Sequence, residues 1–232
     1  SSDRVTINGY FGSDGNGAYG LEQIEFIDGT IWNIDTVKNM FIAGTNEDQV
    51  LNAYLHGSSI YAGGGNDILN GSIGIDQLYG EDGDDHLYGN GGDDLLVGGR
   101  GNDYLRGSTG SDTYLFNQGD GQDVIYNDYS NDGDVETLLF GEGITIKDII
   151  VQREDFNLVL KFHNSTDQIT VTSHFRSNWY SLDRIQFFDG TVWDIEKIEE
   201  LAITGNDTDQ TLYAYGRGSV IYAAGGNDKI YG

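Results

Sequence analysis

The chain has 232 residues, with 12 Lys+Arg against 38 Asp+Glu for a formal charge of −26, and it contains 35 Gly, no Pro and no Cys. That length allows one or two domains with a sizeable core; the missing cysteine removes disulfides and thiolate–metal sites, and so acidic a chain would be repelled by nucleic-acid phosphate. No run of 18 apolar residues suggests a membrane span, while 38% hydrophobic and 12% aromatic content argues for a folded chain that must neutralise its acid. Residues 1–43 open with strand-like text, VTINGYF at 5–11 and IEFIDGTIWNI at 24–34, the second folded around a DGT turn.

From Gly44 the chain divides into nines without a gap: GTNEDQVLN, AYLHGSSIY, AGGGNDILN, GSIGIDQLY, GEDGDDHLY, GNGGDDLLV, GGRGNDYLR and GSTGSDTYL. Position eight is apolar in every copy: Leu51, Ile60, Leu69, Leu78, Leu87, Leu96, Leu105 and Tyr114. In the last six copies position six is Asp67, Asp76, Asp85, Asp94, Asp103 and Asp112, and position four is glycine from Gly65 to Gly110. After a two-residue insertion (Phe116, Asn117) the pattern returns as QGDGQDVIY, with Asp123 in register. A three-residue strand around position eight points one apolar side chain inward. The glycine-rich remainder permits the tight positive-φ turns that reverse the chain. Two repeats then make one coil of 18 residues, and stacking places every second aspartate ~4.8 Å above the last.

GGGND, GNGGDD and GGRGND resemble the haemolysin-type calcium-binding repeat, the RTX nonapeptide GGxGxDxUx. The resemblance implies an all-β fold, a right-handed parallel β-roll flanked by small β-rich capping domains, with Ca²⁺ held between loops two repeats apart. Calcium takes six to eight oxygens, which carboxylates and turn carbonyls supply. Carried over residue by residue, the pattern pairs Asp67 with Asp85, Asp76 with Asp94, Asp85 with Asp103, Asp94 with Asp112 and, across the insertion, Asp103 with Asp123. This amounts to about five ions in the 62–123 roll. Backbone oxygens are implied to complete each shell: Gly63, Gly65, Gly80 and Asp82 for the first pair, and Ser72, Gly74, Gly89 and Gly91 for the second. Glu81, Gly83, Gly98 and Arg100 serve the third, Asn90, Gly92, Gly107 and Thr109 the fourth, and Gly99, Gly101, Gln118 and Asp120 the fifth. Without a cation the same aspartates would make Asx-turns in a solvated coil. The first two nines depart from the pattern, with Gln49 and Ser58 at position six and Glu47 and His56 at position four, and read as a lead-in coil without strong sites. His56 and His86 fall on separate coils and read as surface residues.

Residues 127–204 carry TLLF, ITI, DIIVQRE, NLVLKF and QITVTSHF, which argue strands, then a DGTVW turn and DIEKIEELAI, which suggests a short helix. This unit resembles the haemolysin-type calcium-binding-related domain. We expect 127–168 to cap one roll and 169–204 to lead into the next, covering strand ends that would otherwise stay open. A longer period supports the division: residues 21–71 align with 182–232 at an offset of 161, with 25 of 51 positions identical. The expected order is thus the end of a flanking unit (1–43), the roll (44–126), a flanking unit (127–204) and the start of a second roll (205–232), as in a piece of a longer tandem protein. Trp32 and Trp193 occupy equivalent places and read as core anchors.

No catalytic constellation is present, so no enzyme activity is expected; His163 and His174 have no evident acid partner in sequence and read as packed or exposed. The expected chemistry is folding coupled to calcium. Carboxylates ~5 Å apart repel by ~0.8 kcal/mol in water and ~3 kcal/mol at an effective dielectric of 20. Five pairs sum to ~4–17 kcal/mol, comparable with the stability of a whole domain. The family resemblance implies a secreted or cell-surface protein of adhesin or toxin type, exported unfolded by type I secretion. Two alternatives stand beside it: a calcium-rigidified module that binds a glycan or surface ligand, and the folding region of a secreted enzyme. The incomplete ends also suggest head-to-tail self-association.

Overall fold

A computed structural model describes residues 23–33, 42–54, 57–127, 133–176, 180–205, 209, 211–214 and 221–232. Expectations for 5–11 and His56 lie outside these. A two-stranded antiparallel hairpin comes first, β1 (Gln23–Glu25) and β2 (Ile31–Asn33). The roll follows as β3 (Ala43–Thr45), β4 (Val50–Asn52), β5 (Ser59–Gly63), β6 (Ile68–Asn70), β7 (Gln77–Asp82), β8 (His86–Gly91), β9 (Leu95–Arg100), β10 (Tyr104–Thr109), β11 (Thr113–Phe116) and β12 (Gln122–Ile125). Odd-numbered strands stack in parallel in one sheet and even-numbered strands in the other. The all-β parallel roll implied by the family resemblance is the fold of this chain.

The period explains the packing. Ile60, Leu69, Leu78, Leu87 and Leu96 are fully buried, and Leu51, Leu105, Tyr114 and Ile125 nearly so, forming one file between the two sheets. Each buried Leu or Ile removes apolar surface worth about 1.5–3 kcal/mol. Tyr114, bulkier than the leucines below it, is accommodated because its hydroxyl donates to Asn127 Oδ1 at 2.7 Å and accepts the Gly107 N–H at 3.1 Å.

The flanking unit is built from β13 (Thr137–Phe140), β14 (Ile149–Glu154), β15 (Asn157–Phe162), β16 (Gln168–Val171), β17 (Arg184–Gln186), β18 (Val192–Asp194) and α1 (Ile195–Ala202). It continues both sheets of the roll. β13 lies parallel on β11 and β17 parallel on β13, while β16 lies parallel on β12. Each sheet is then finished by antiparallel pairing, β15 and β14 on β16, and β18 on β17. The cap therefore does not divide at residue 168: β16 and β17 both build on the first roll. Asp194 caps α1, its Oδ1 accepting the Lys197 N–H at 2.8 Å. Among the described residues no helix is long and apolar enough to cross a membrane.

The 161-residue period is structural as well. Hairpin β17–β18 repeats β1–β2, with Phe187 and Trp193 in a T-shaped pair at 4.8 Å where Phe26 and Trp32 pair at 4.6 Å. Beyond α1, β19 (Thr211–Tyr213) lies parallel on β20 (Lys229–Tyr231), reproducing the pairing of β4 with β6. Trp193 is 9% exposed, a core anchor, and Trp32 is half-buried.

Candidate metal centre

Each turn between the sheets delivers one aspartate to an edge of the roll. Asp67, Asp85, Asp103 and Asp123 line one edge, and Asp76, Asp94 and Asp112 the other, because successive repeats belong to opposite sheets. All seven are buried, none more than 3% exposed. The backbone N–H of each aspartate donates to Oδ1 of the aspartate one coil on, from Asp67 to Asp85 (2.7 Å), Asp76 to Asp94 (2.7 Å), Asp85 to Asp103 (2.8 Å), Asp94 to Asp112 (2.9 Å) and Asp103 to Asp123 (3.0 Å). These are the five pairs that the family pattern implies. The two-residue insertion is absorbed in the loop before Gly121, which bridges to Gly101 and restores the register.

Oδ1 is thus engaged, and Oδ2 is the informative atom. In Asp67, Asp85, Asp94, Asp103 and Asp112 it is buried with no hydrogen-bond partner. A buried carboxylate oxygen left unpaired is costly. Asp76 differs, its Oδ2 accepting both the N–H (2.7 Å) and the hydroxyl (3.0 Å) of Ser72. Burial, opposed by the backbone hydrogen bond and reinforced by nearby carboxylates, pushes the carboxyls up to about 6 for Asp85, about 7 for Asp103 and Asp112, and about 8 for Asp94 and Asp123. Unpartnered oxygens of this kind suit a hard cation.

The glycines make room for this arrangement. A Cβ on Gly80, Gly89, Gly98 or Gly107 would run into Oδ2 of Asp85, Asp94, Asp103 or Asp112 respectively. At position four the obstacle is backbone: Gly83 has φ +143°, and a Cβ there would strike the Gly65 carbonyl oxygen one coil below. The Gly65, Gly74, Gly83 and Gly92 carbonyls thus lie against the glycine above, as Glu81 lies against Gly99 and Gly101 against Gly121.

Other residues implied as backbone ligands hold the turns together. The Ser72, Arg100, Thr109 and Asp120 carbonyls accept the N–H of Gly91, Gly83, Gly92 and Gly101, and the Asn90 carbonyl accepts the Thr109 hydroxyl at 3.2 Å. Gly63 stands over the Thr45 carbonyl, and Asp82 bridges to Gly64. Gln118 is exposed on the insertion loop. Among the described residues no three His, Cys, Asp or Glu side chains cluster as an all-side-chain metal site, so a cation here would need carbonyl oxygens beside its carboxylate pair.

The first two repeats replace the acid with neutral groups. Gln49 Oε1 accepts the Thr45 N–H at 2.7 Å and Ser58 Oγ accepts the Tyr54 N–H at 2.9 Å, while their own N–H groups donate to Asp67 and Asp76. His86 is exposed and tilts against Tyr104 at 5.4 Å; His163 is exposed. His174 is buried, burial pushes it down to about 3 and so holds it neutral, and its Nδ1 accepts the Leu182 N–H at 3.1 Å.

A second ladder runs at position five. The N–H of Asn66 donates to Asp48, that of Asp84 to Asn66 and that of Asn102 to Asp84, all at 2.8–2.9 Å. Alternating carboxylate and amide on this edge avoids a second unbroken column of charge. The signal was present in the alternation of GND and GDD at every second repeat.

The RTX calcium-binding nonapeptide repeat pattern (4 copies) matches residues 61–96, 79–114, 88–125 and 204–232. The haemolysin-type calcium binding protein related domain matches residues 1–36 and 157–197. The chain is also 37% identical over 113 residues to the iron-regulated protein FrpA of Neisseria meningitidis serogroup C, a match covering 47% of this chain and 10% of the relative. The matched stretch thus spans about a tenth of that relative's length. With repeats and related domain both in place, the chain belongs to the haemolysin-type calcium-binding, or RTX nonapeptide-repeat, family.

Proposed function

We propose that this chain is a calcium-dependent structural module of a secreted or surface-displayed protein, adhesin- or toxin-like, with no reaction of its own. About five calcium ions sit between the aspartate pairs from Asp67 to Asp123, held by carboxylate oxygens and turn carbonyls. The observation that carries the reading is the file of buried Oδ2 atoms without partners. Stacking the coils without a cation would leave these oxygens desolvated and the carboxylates repelling one another. Calcium converts the repulsion into coordination, so its binding energy becomes folding energy. Export as an unfolded chain into calcium-rich surroundings fits this logic. The absence of proline fits too, because no proline isomerisation can delay folding on arrival.

Circular dichroism of the full chain tests the reading. It should report little β-signal in chelator and a cooperative rise as calcium is added. A spectrum indifferent to calcium would sink the proposal.

A further inference from the structure

The edge carrying Asp76, Asp94 and Asp112 does not end with the nonapeptides. Thr137 pairs with Thr113, and its N–H donates to the Asp112 carbonyl at 2.9 Å, as Thr113 N–H donates to Asp94 at 2.8 Å. This register puts Glu136 where the aspartate of the next coil would stand. Arg184 pairs with Thr137 in turn, which puts Asp183 one coil further. Asp183 Oδ2 accepts the Glu136 N–H at 2.8 Å, the same bond that joins each aspartate to its neighbour. The carboxylate file therefore runs Asp76, Asp94, Asp112, Glu136, Asp183, although the last two lie outside the nine-residue period.

The file has one defect. Glu136 is 2% exposed and neither of its oxygens has a well-formed hydrogen bond; the Asp112 N–H only leans on its carboxylate, where the period would require a full bond. Asp112 Oδ2 is likewise buried and unpartnered. Asp134 is already engaged, its Oδ2 accepting the Gly110 N–H at 3.2 Å. Protonation alone would neutralise Glu136 and still leave its carbonyl and hydroxyl oxygens without well-formed partners. A cation satisfies both the charge and the lone pairs.

We propose that Glu136 and Asp112, with Asp183 fixing the Glu136 backbone and carbonyl oxygens completing the shell, hold a further hard divalent cation of the calcium class at the junction of roll and flanking unit, outside the nonapeptide repeats. The proposal rests on the calcium reading of the roll. Its consequence is that the ion ties β13 to β11 and β17 to β13, so that docking of the flanking unit is itself calcium-linked.

Counting ions tests it. Native mass spectrometry of the full chain in calcium is compared for wild type, Glu136→Gln, Glu136→Asp and Asp85→Asn. Glu136→Gln should carry one ion fewer than wild type with its roll dichroism in calcium retained, and Glu136→Asp should recover the ion. Equal counts in wild type and Glu136→Gln would overturn the site. Asp85→Asn separates this failure from that of the underlying reading: if it too binds as many ions as wild type, the calcium assignment of the roll fails. Should Glu136→Gln not fold, crystals of the wild type grown in calcium decide, since metal density between Asp112 and Glu136 supports the site and its absence overturns it.

Discussion

The roll and the flanking unit share two continuous sheets but solve the folding problem differently. In the roll the strands contribute mainly one large inward residue each, the file from Leu51 to Ile125, and the turns from Asp67 to Asp123 bury a carboxylate apiece. In the flanking unit the core is aromatic and cross-braced: Phe140, Phe162, Phe187 and Trp193, joined by Phe116 from the last coil of the roll, meet at centroid distances of 4.8–6.3 Å. Its strands β14 and β15 are antiparallel, joined by a tight turn at Asp155–Phe156. Large rings bury enough surface to hold a fold. A single leucine per strand, set against a column of buried acid, does not. The roll thus carries an electrostatic load of buried carboxylates, which a cation or protonation would relieve, whereas the flanking core is held by apolar contact.

Removing a shared ligand should break the comparison hardest. Asp94 belongs to two pairs, with Asp76 and with Asp112, so Asp94→Asn should lose two ions by native mass spectrometry. The calcium midpoint for folding should rise at least about tenfold, the equivalent of ~1.4 kcal/mol. An unchanged midpoint would detach the aspartates from calcium. In the flanking unit the large effect should come from packing. Phe140 is fully buried, and Phe140→Ala should cost about 3–5 kcal/mol in denaturant melts without changing the ion count.

The remaining prediction concerns pH and the metal-free chain. An aspartate in an unfolded chain titrates near 3.9, while burial holds Asp85, Asp94, Asp103, Asp112 and Asp123 at about 6 to 8 in the folded roll. Below the unfolded value both states are protonated and no penalty exists. Between the two values the unfolded chain releases protons that the fold retains, so rising pH destabilises the roll by ~1.4 kcal/mol per unit for each such group. Above about 8 the penalty is complete. In chelator, β-signal should therefore strengthen as pH falls from 8 towards 5. With calcium present the midpoint concentration should rise over the same interval, because protons compete for the carboxylates. A metal-free chain indifferent to pH would mean that the aspartates are not desolvated.

Much of the roll was legible because its geometry repeats at the length of the motif. Position eight and position six could be read directly, and the structure places Leu87 and Asp85 where the spacing puts them. The position-five ladder from Asp48 to Asn102 was equally regular but needed an 18-residue comparison, since the alternation exists only between coils. Glu136 and Asp183 were not legible. They occupy roll positions in space, yet irregular connections separate them from Asp112 in sequence. Spacing alone cannot find a register that the β11–β13–β17 hydrogen bonds create. For the same reason the flanking strands were readable as strands, while their continuation of both sheets was not.

The central claim is that calcium, and not apolar packing, holds the roll together. Hydrogen exchange resolved along the chain addresses it most directly, through the amides of Asp67, Asp85 and Asp103, which donate within the carboxylate ladder, and those of Leu158 and Leu160 in the flanking core. The account predicts that chelator abolishes protection at the ladder amides and reduces it far less at Leu158 and Leu160, with calcium restoring the first set. Ladder amides that stay protected in chelator at neutral pH would contradict it.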